Sequence, residues 1–315
     1  MKRLVLNFLT SIFMAFALAA FGGSAAFAAD GSIVSMSTAL SGTVRIDLSG
    51  LPGGQATIDW GDNTQPETIT FTGYVVGYTH SYNNTTPRTI TVTATSGHIS
   101  GLICNNNQLT SLDVSQCPNL ELLNCVENKL TGLDISKNPI LKTLNCNGNQ
   151  LASLDVSKNT ALELLRCDDN QLTSLDVSNN TALELLRCNG NQLTSLDVSK
   201  NTKLINLSCA SNQLTSLTVN KNVSDKTALT TLYATNNQLT SLDVSKTILL
   251  RLDVRNNKLT AAGLNAMFAS LPFSTSAGGT KMIYLGDNPG TAACNGSIAS
   301  GKDWRYEPTQ QQPRR

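Results

Sequence analysis

A period of 21 residues organises the chain over residues 141–214. Residues 162–182 read LELLRCDDNQLTSLDVSNNTA and residues 183–203 read LELLRCNGNQLTSLDVSKNTK, so the two segments are identical at 17 of 21 positions. None of the differences falls on a leucine, a valine or a cysteine. We therefore interpret the constant positions as packing and the variable positions as mostly surface. The variable pairs are Asp168/Asn189, Asp169/Gly190, Asn179/Lys200 and Ala182/Lys203.

A unit this short has too little apolar surface to fold alone, so consecutive units must stack into a solenoid. The segment L-x-x-L-x-C alternates between inward and outward positions as a strand does, and the strands of successive coils form a parallel inner sheet. We number each coil from the first leucine of this segment. On the return limb, the LDVS segment buries a second pair, such as Leu175 and Val177. The predicted fold class is mainly β.

The unit fits the pattern L-x-x-L-x-C-x-x-N-x-L and resembles the leucine-rich repeat. Two looser units follow, residues 229–239 after an insertion around residues 222–226, and residues 249–259. The period, the cysteine at position 6 and the LTSLDVS return limb are similar to internalin-type repeats with a cysteine ladder, over about residues 99–260. The resemblance implies recognition or adhesion as a class of function and does not identify a partner.

The cysteines of the coils occupy one inward position. Side chains of stacked neighbours point the same way, which strains a disulfide, and a buried thiol behaves as a small hydrophobe. We predict a structural ladder of thiols rather than disulfides or metal sites, and no cofactor. The ladder consists of Cys104, Cys125, Cys146, Cys167, Cys188 and Cys209.

One asparagine per coil stands where the chain leaves the strand. Buried backbone groups at such a turn still need partners, and an amide side chain offers both a donor and an acceptor. We predict an internal hydrogen-bonded ladder; a ligand-binding column is the alternative. Its members are Asn107, Asn128, Asn149, Asn170, Asn191, Asn212, Asn237 and Asn257.

Residues 1–28 have the pattern of an export signal. Two basic residues precede an apolar run, and Ala26-Phe27-Ala28 supplies a cleavage site. We predict cleavage after Ala28 and a secreted or cell-surface protein, with an uncleaved membrane anchor as the alternative. Removing two of the 23 basic residues leaves 21 against 22 acidic ones, a balance that gives no reason to expect a nucleic-acid partner.

Residues 30–98 differ in composition and contain alternating strand patterns between Pro, Gly and Asn clusters. The segment Ile58-Asp59-Trp60-Gly61-Asp62 followed by Tyr78-Thr79-His80-Ser81-Tyr82 resembles a PKD-type immunoglobulin-like sandwich. The resemblance implies a core position for Trp60 and a turn held by Asp62. We interpret this region as a cap on the first edge of the solenoid. Glycan contact, or calcium at Asp59 and Asp62, is the functional alternative.

Residues 261–308 are predicted to form a short, partly helical C-terminal cap. Thr260 is a helix N-cap, apolar residues follow at helical spacing, and Pro272 ends the helix. One last strand and asparagine turn at residues 282–288, a helical turn near residues 293–299 and Trp304 complete the cap. Residues 309–315 are predicted to be a frayed tail.

No catalytic constellation is present in the sequence. The two histidines, His80 and His98, lie in or beside the N-terminal region, and no nucleophile, zinc or phosphate-loop motif occurs. An aspartate recurs on each return limb, and we predict that it bonds to nearby turn N–H groups. Calcium between coils is the alternative, although we predict no metal site. These aspartates are Asp113, Asp134, Asp155, Asp176, Asp197 and Asp243.

Positions 3 and 5 of each coil face outward from the inner sheet and have no packing duty. Outward leucines beside arginines and a tyrosine are typical of interaction surfaces. The alternative is that the leucines shield one another while Glu163 and Glu184 pair with the arginines, an arrangement that contributes little. The predicted partner-binding residues on this concave face are Leu122, Leu164, Arg166, Leu185, Arg187, Tyr233 and Arg251.

Together these features predict an exported, monomeric, non-catalytic recognition protein. Its partner would be an extracellular protein or a matrix component bound through the inner sheet, as in host or cell-surface adhesion. The alternative is a glycan-binding or cell-surface scaffold protein that acts through the N-terminal region.

Overall fold

The computed structural model describes residues 31–219, 229–245, 247–272 and 281–307. The predicted export signal, the insertion around residues 222–226 and the tail at residues 309–315 lie outside the described residues, as do residues 273–280, which precede the strand predicted near residue 282.

The N-terminal region is a β-sandwich. Its strands alternate between buried and exposed side chains, as in β1, where Val34 and Met36 are buried. Trp60 is 3% exposed and lies in the core, as expected. The strands are β1 (Ile33–Thr38), β2 (Gly42–Gly50), β3 (Gln55–Asp59), β4 (Glu67–Thr70), β5 (Val76–Tyr82) and β6 (Arg88–Ser96).

The solenoid contributes one short strand per coil to the inner sheet, together with a few return-limb strands. Each inner strand of three residues buries its middle residue, which is position 4 of the coil. The inner strands are β7 (Ile99–Ile103), β9 (Leu122–Asn124), β10 (Thr143–Asn145), β11 (Leu164–Arg166), β12 (Leu185–Arg187), β14 (Asn206–Ser208), β16 (Thr231–Tyr233) and β17 (Arg251–Asp253). The return-limb strands are β8 (Ser111–Asp113), β13 (Ser195–Asp197) and β15 (Ser216–Thr218).

One sheet of 12 strands runs through both regions, in the order β19 (Trp304–Glu307), β18 (Lys281–Tyr284), β17, β16, β14, β12, β11, β10, β9, β7, β2 and β5. Its solenoid part is parallel, as predicted, whereas β2 pairs antiparallel with β7. On the other side, β1 pairs antiparallel with β8 of the first return limb. Both sheets of the sandwich therefore continue into the solenoid, and the first coil has no open edge.

The interior repeats from coil to coil. The ladder cysteines and the leucines at positions 1, 4 and 11 are almost completely buried, with exposures of 0–4% in the regular coils. Ala234 and Val254 take the cysteine position in the last two coils and are also fully buried. Stacking side chains of one size in each column keeps the core dense without any coil folding alone.

The position-9 asparagines form the predicted ladder. Asn170 donates from Nδ2 to the carbonyl oxygens of Cys146, Cys167 and Asp168, and its Oδ1 accepts the N–H of Leu151 at 3.0 Å. Asn149 and Asn191 repeat this pattern in the neighbouring coils. The ladder reaches the N-terminal region, where Asn107 bonds to both the N–H and the C=O of Arg45.

A second asparagine column, which our sequence analysis did not identify as a ladder, lies on the return limb. Asn159 donates from Nδ2 to the carbonyl oxygens of Ile135 and Asn138, at 2.8 and 2.9 Å. Asn138 and Asn180 do the same one coil away and Asn201 two coils away, and all four are at most 1% exposed. Cys117 stands at the N-terminal end of this column, with Sγ 3.3 Å from the carbonyl oxygen of Ile33.

The C-terminal end extends the sheet. Helix α1 (Ala261–Ser270) begins after Thr260, whose side chain accepts the N–H of Gly263, and it buries Leu264, Met267 and Phe268 as predicted. Strand β18 (Lys281–Tyr284), the short helix α2 (Ser297–Ser300) and β19 (Trp304–Glu307) follow. Strand β19 was not predicted and pairs parallel with β18. Neither helix within the described residues has the length and apolarity needed to cross a membrane.

Candidate functional site

The outward side chains of the inner sheet form a continuous row, which we call the inner-sheet strip. Strand pairing places the same coil positions side by side, so that Leu164 lies opposite Leu185 and Arg166 opposite Arg187. Most members are half-buried, because each lies against its neighbours one strand away. Position 3 contributes Leu122, Thr143, Leu164, Leu185, Asn206, Thr231 and Arg251, and position 5 contributes Asn124, Asn145, Arg166, Arg187, Ser208, Tyr233 and Tyr284.

The centre of the strip holds two arginines around one carboxylate. Nε of Arg187 lies 3.2 Å from Oδ2 of Asp168, a side chain that is only 5% exposed. The backbone N–H and the Nδ2 of Asn189 donate to Oδ1 of Asp168, at 2.9 and 2.7 Å. Asp168 is thus a fixed negative charge beneath the arginines.

The position of Asp168 is an exception among the variable positions, because it is 3% exposed whereas the others are half-buried or exposed, so these positions are mostly surface, as we interpreted them. It also bears on the alternative in which Glu163 and Glu184 pair with the arginines. Both glutamates are exposed, and the carboxylate in ion-pair contact with Arg187 is that of Asp168. A position-7 side chain follows the buried cysteine directly and accepts the next coil's N–H, as Asn147 does for Asp168. That recurrence was the signal available in the sequence.

Arg166 is the less favourably placed of the two arginines. Burial lowers the pKa of its guanidinium, and the like charge of Arg187 lowers it further, while Asp168 opposes both effects. Its Nε is buried and has no hydrogen-bond acceptor among the described residues. The centre of the strip therefore carries positive charge that the protein satisfies only in part.

A second group on the strip lies at its C-terminal end. The guanidinium of Arg251 donates to the hydroxyls of Tyr233 and Tyr284, at 3.3 and 3.4 Å, and stands 5.8 Å from the ring centroid of Tyr284. These hydrogen bonds raise the pKa of Arg251. Sequence reasoning named Tyr233 and Arg251 but missed Tyr284, although it recognised the strand that contains it.

Asp253 departs from the expectation that position 5 faces solvent. It is 3% exposed, and its two carboxylate oxygens accept from Nε and an Nη of Arg255, with a shortest distance of 2.6 Å. Because both oxygens of this carboxylate already accept hydrogen bonds from Arg255, it is not available to a ligand. The structure therefore brings together Leu164, Leu185, Arg166 and Arg187, and separates them from Tyr233 and Arg251 by the small polar side chains of β14.

The return-limb aspartates perform the predicted local role. Oδ1 of Asp155 accepts the N–H of Ser157 at 2.8 Å, and Asp176 does the same for Ser178 at 2.9 Å. The bonds from these serines lower the pKa of both carboxyls. Asp113, Asp134, Asp197 and Asp243 repeat the contact. Within the described ranges, no three His, Cys, Asp or Glu side chains converge as metal ligands do.

The N-terminal region contains its own polar cluster. Asp62 holds the turn at Thr64, as expected, and its Oδ2 lies 2.7 Å from Nε2 of His80. The bond from Thr64 is the main cause that lowers the pKa of Asp62 to about 2. His80 stacks on Trp60, with ring centroids 5.2 Å apart. These contacts connect the turn to the sandwich core, and the buried Trp60 offers no open face to a sugar.

The ladder cysteines are free and buried, and none of the six forms a disulfide. Several point at the carbonyl oxygen of position 5 in the next coil, as Cys167 does at 3.5 Å from the oxygen of Arg187. Burial raises the thiol pKa of Cys104 and Cys209 to about 12, and raises those of the inner members well above the ordinary value. A thiolate nucleophile at these positions is therefore disfavoured at neutral pH.

Comparisons with known proteins identify leucine-rich-repeat structures as similar. The functional domain of InlJ from Listeria monocytogenes, which includes a cysteine ladder, is 35% identical, with 64% of this chain and 47% of that chain covered and a TM-score of 0.51. YopM from Yersinia pestis is 27% identical over 60% of this chain and 49% of its own, with a TM-score of 0.45. No protein-family profile and no curated protein matches the sequence.

The chain thus spans about half the length of these two solved structures. The similarity to InlJ supports the leucine-rich-repeat architecture and the cysteine ladder together. The PKD-like resemblance of residues 30–98 stays a prediction.

Proposed function

We propose that this chain is an exported recognition protein that binds a protein partner through the inner-sheet strip and performs no catalysis. The observation that carries the proposal is the contrast between a strip that changes from coil to coil and an interior that repeats. Half-buried leucines beside incompletely satisfied arginines leave apolar area and charge that a partner can cover.

The similarity to the functional domain of InlJ supports a recognition role on this type of scaffold. Adhesion to a host or neighbouring-cell protein, or to a matrix component, is the specific role we propose. Leucine-rich-repeat architecture alone does not choose among these partners.

Export is the second part of the proposal and rests on the pattern of residues 1–28. Expression of the full chain in a bacterial host should release a protein whose N-terminus is Ala29, as measured by mass spectrometry of the extracytoplasmic fraction. Recovery of the uncleaved chain, which still carries residues 1–28, in the membrane fraction would favour the membrane anchor instead.

The binding proposal is tested by a screen of the exported protein against extracellular-matrix proteins, mucins and a glycan array. The test variant is Leu164→Ser/Arg166→Ala/Arg187→Ala. Lys158→Ala/Lys200→Ala is the matched control, because it removes two exposed charges from the return limb. A protein hit that the test variant loses and the control keeps is the expected result.

Two other outcomes would contradict this proposal. A hit kept by the test variant would place the site elsewhere, and a glycan hit of that kind would favour the N-terminal region. Loss of the hit in both variants would show that general charge, rather than the strip, governs binding.

A further inference from the structure

The centre of the inner-sheet strip has a composition that points to the chemistry of its ligand. We propose that Arg166 and Arg187, with Leu164 and Leu185 beside them, bind a carboxylate that neighbours an apolar side chain in a peptide segment of the partner. This inference rests on the proposed function and narrows it to one recognition element.

The first step is spacing. Arg166 and Arg187 are paired in register on adjacent parallel strands, which lie about 4.8 Å apart. Two guanidiniums at that separation can each donate to one oxygen of a single carboxylate placed between them. The geometry arises because coils 162–182 and 183–203 repeat the segment LELLRC.

The second step is donor capacity. Asp168 is the carboxylate in ion-pair contact with Arg187, and its Oδ1 already accepts two bonds from Asn189. Its Oδ2 lies 3.2 Å from Nε of Arg187 as an ion pair, but neither of these atoms makes a hydrogen bond among the described residues, and Nε of Arg166 makes none either. Each guanidinium carries five N–H donors, and the Arg187 side chain is 43% exposed, so its outer N–H groups can reach an incoming oxygen that the buried Nε cannot reach.

The third step is charge. Two arginines around Asp168 leave a surplus of one positive charge, which matches a carboxylate better than a doubly charged phosphate. Exposed carboxylates of the same coil as Arg166, Glu163 and Asp169, oppose a ligand with more negative charge. The site therefore favours a monoanion.

The fourth step is the apolar surface. Leu164 and Leu185 are paired in register and half-buried on the same two strands as the arginines. Alternation along a strand separates position 3 from position 5 by two residues, or about 6.6 Å. A peptide can span this distance with an acidic side chain or its own C-terminus on the arginines and an apolar side chain on the leucines.

The experiment is a selection of random displayed peptides on the full chain, from one library with internal peptides and one with free C-termini. We expect at least about tenfold enrichment of sequences with a carboxylate next to Leu, Ile or Phe. That enrichment should vanish with Arg166→Gln/Arg187→Gln and persist with the charge-matched control Lys158→Gln/Lys200→Gln. Enrichment in the free C-terminus library alone would identify the main-chain carboxylate as the source, and enrichment in both would identify Asp or Glu.

Three results would overturn the inference. The first is acidic enrichment that the arginine variant keeps. The second is enrichment of non-acidic peptides that is lost in the Leu164→Ser/Leu185→Ser variant. That result would support protein binding through the strip but contradict recognition of a carboxylate. The third is no enrichment on the unaltered chain, which would count against both. Urea unfolding of each variant provides the check that lost enrichment is not lost folding.

Discussion

The interior columns and the inner-sheet strip arise from the same 21-residue unit but follow different rules. In the interior of the regular coils, one residue type recurs at each position because each side chain must bond to or pack on the coil before it. On the strip, position 3 passes from leucine to asparagine, threonine and arginine along the same sheet. Stacking therefore determines which residues occupy the interior positions. The residues of the strip are free of this requirement and can instead suit a binding partner.

The largest expected effect is a loss of stability at alkaline pH, which acts on the thiols of the interior. The six ladder thiols ionise near 9.0 when exposed, and burial raises the pKa of Cys104 to about 12 in the folded chain. Between these two pH values, the unfolded chain releases thiol protons that the folded chain retains. The contribution of the thiols to the free energy of unfolding is therefore fully present below pH 9 and decreases as the pH rises above it. Each thiol adds a slope of up to about 1.4 kcal/mol per pH unit.

Urea unfolding from pH 7 to 11 measures this slope. Cys167→Ala should make it shallower by about one thiol's share, and Ala234 shows that alanine fits this position. An unchanged slope in that variant would contradict the assignment of the effect to the ladder. The strip variant Arg166→Gln should leave the slope as it is.

An intermediate effect is expected from the asparagine ladder. Asn170→Ala removes the acceptor of the Leu151 N–H and the donor to the Cys146 carbonyl, and both groups are buried. We expect a loss of about 3 kcal/mol in the free energy of unfolding. Asn206→Ala, a half-buried asparagine on the strip, is the matched control and should cost less than about 0.5 kcal/mol. Equal losses in the free energy of unfolding of the two variants, as measured with urea, would contradict the proposed difference between interior and strip.

The smallest effect is expected at the centre of the strip. Arg166→Met removes a guanidinium whose pKa is lowered by burial and by Arg187, and it retains an apolar stem of similar length. Stability should change by less than about 0.5 kcal/mol and in the favourable direction, as read from the urea midpoint. Arg187→Met provides the contrast, because it leaves the buried Asp168 without its ion pair and should destabilise the chain. If Arg166→Met were less stable than Arg187→Met, our account of the charges at the centre of the strip would be wrong.

The sequence was sufficient for the repeating features because their register recurs every 21 residues, once in each coil. The cysteine ladder, the position-9 asparagines and the Asp–Ser contacts each depend on spacing alone. Helix α1 was predictable for a similar reason, since Thr260 and its apolar spacing are local signals.

The missed features depend on contacts between distant parts of the chain. The pairing of β2 with β7, which joins the two regions in one sheet, has no periodic signature. The contact between Asp168 and Arg187 required knowing that position 7 turns inward. Tyr284 could have been placed by counting positions in β18, and its neighbour Arg251 then follows from the register.

The ladders also have a genetic consequence. Each asparagine bonds to a carbonyl one coil earlier, so every junction between regular coils offers the same donors and acceptors. Deleting or duplicating one 21-residue unit in the regular region therefore joins matching surfaces and leaves the hydrogen-bond pattern intact. Copy number can change by unequal recombination within the gene, and the strip gains or loses one row at a time.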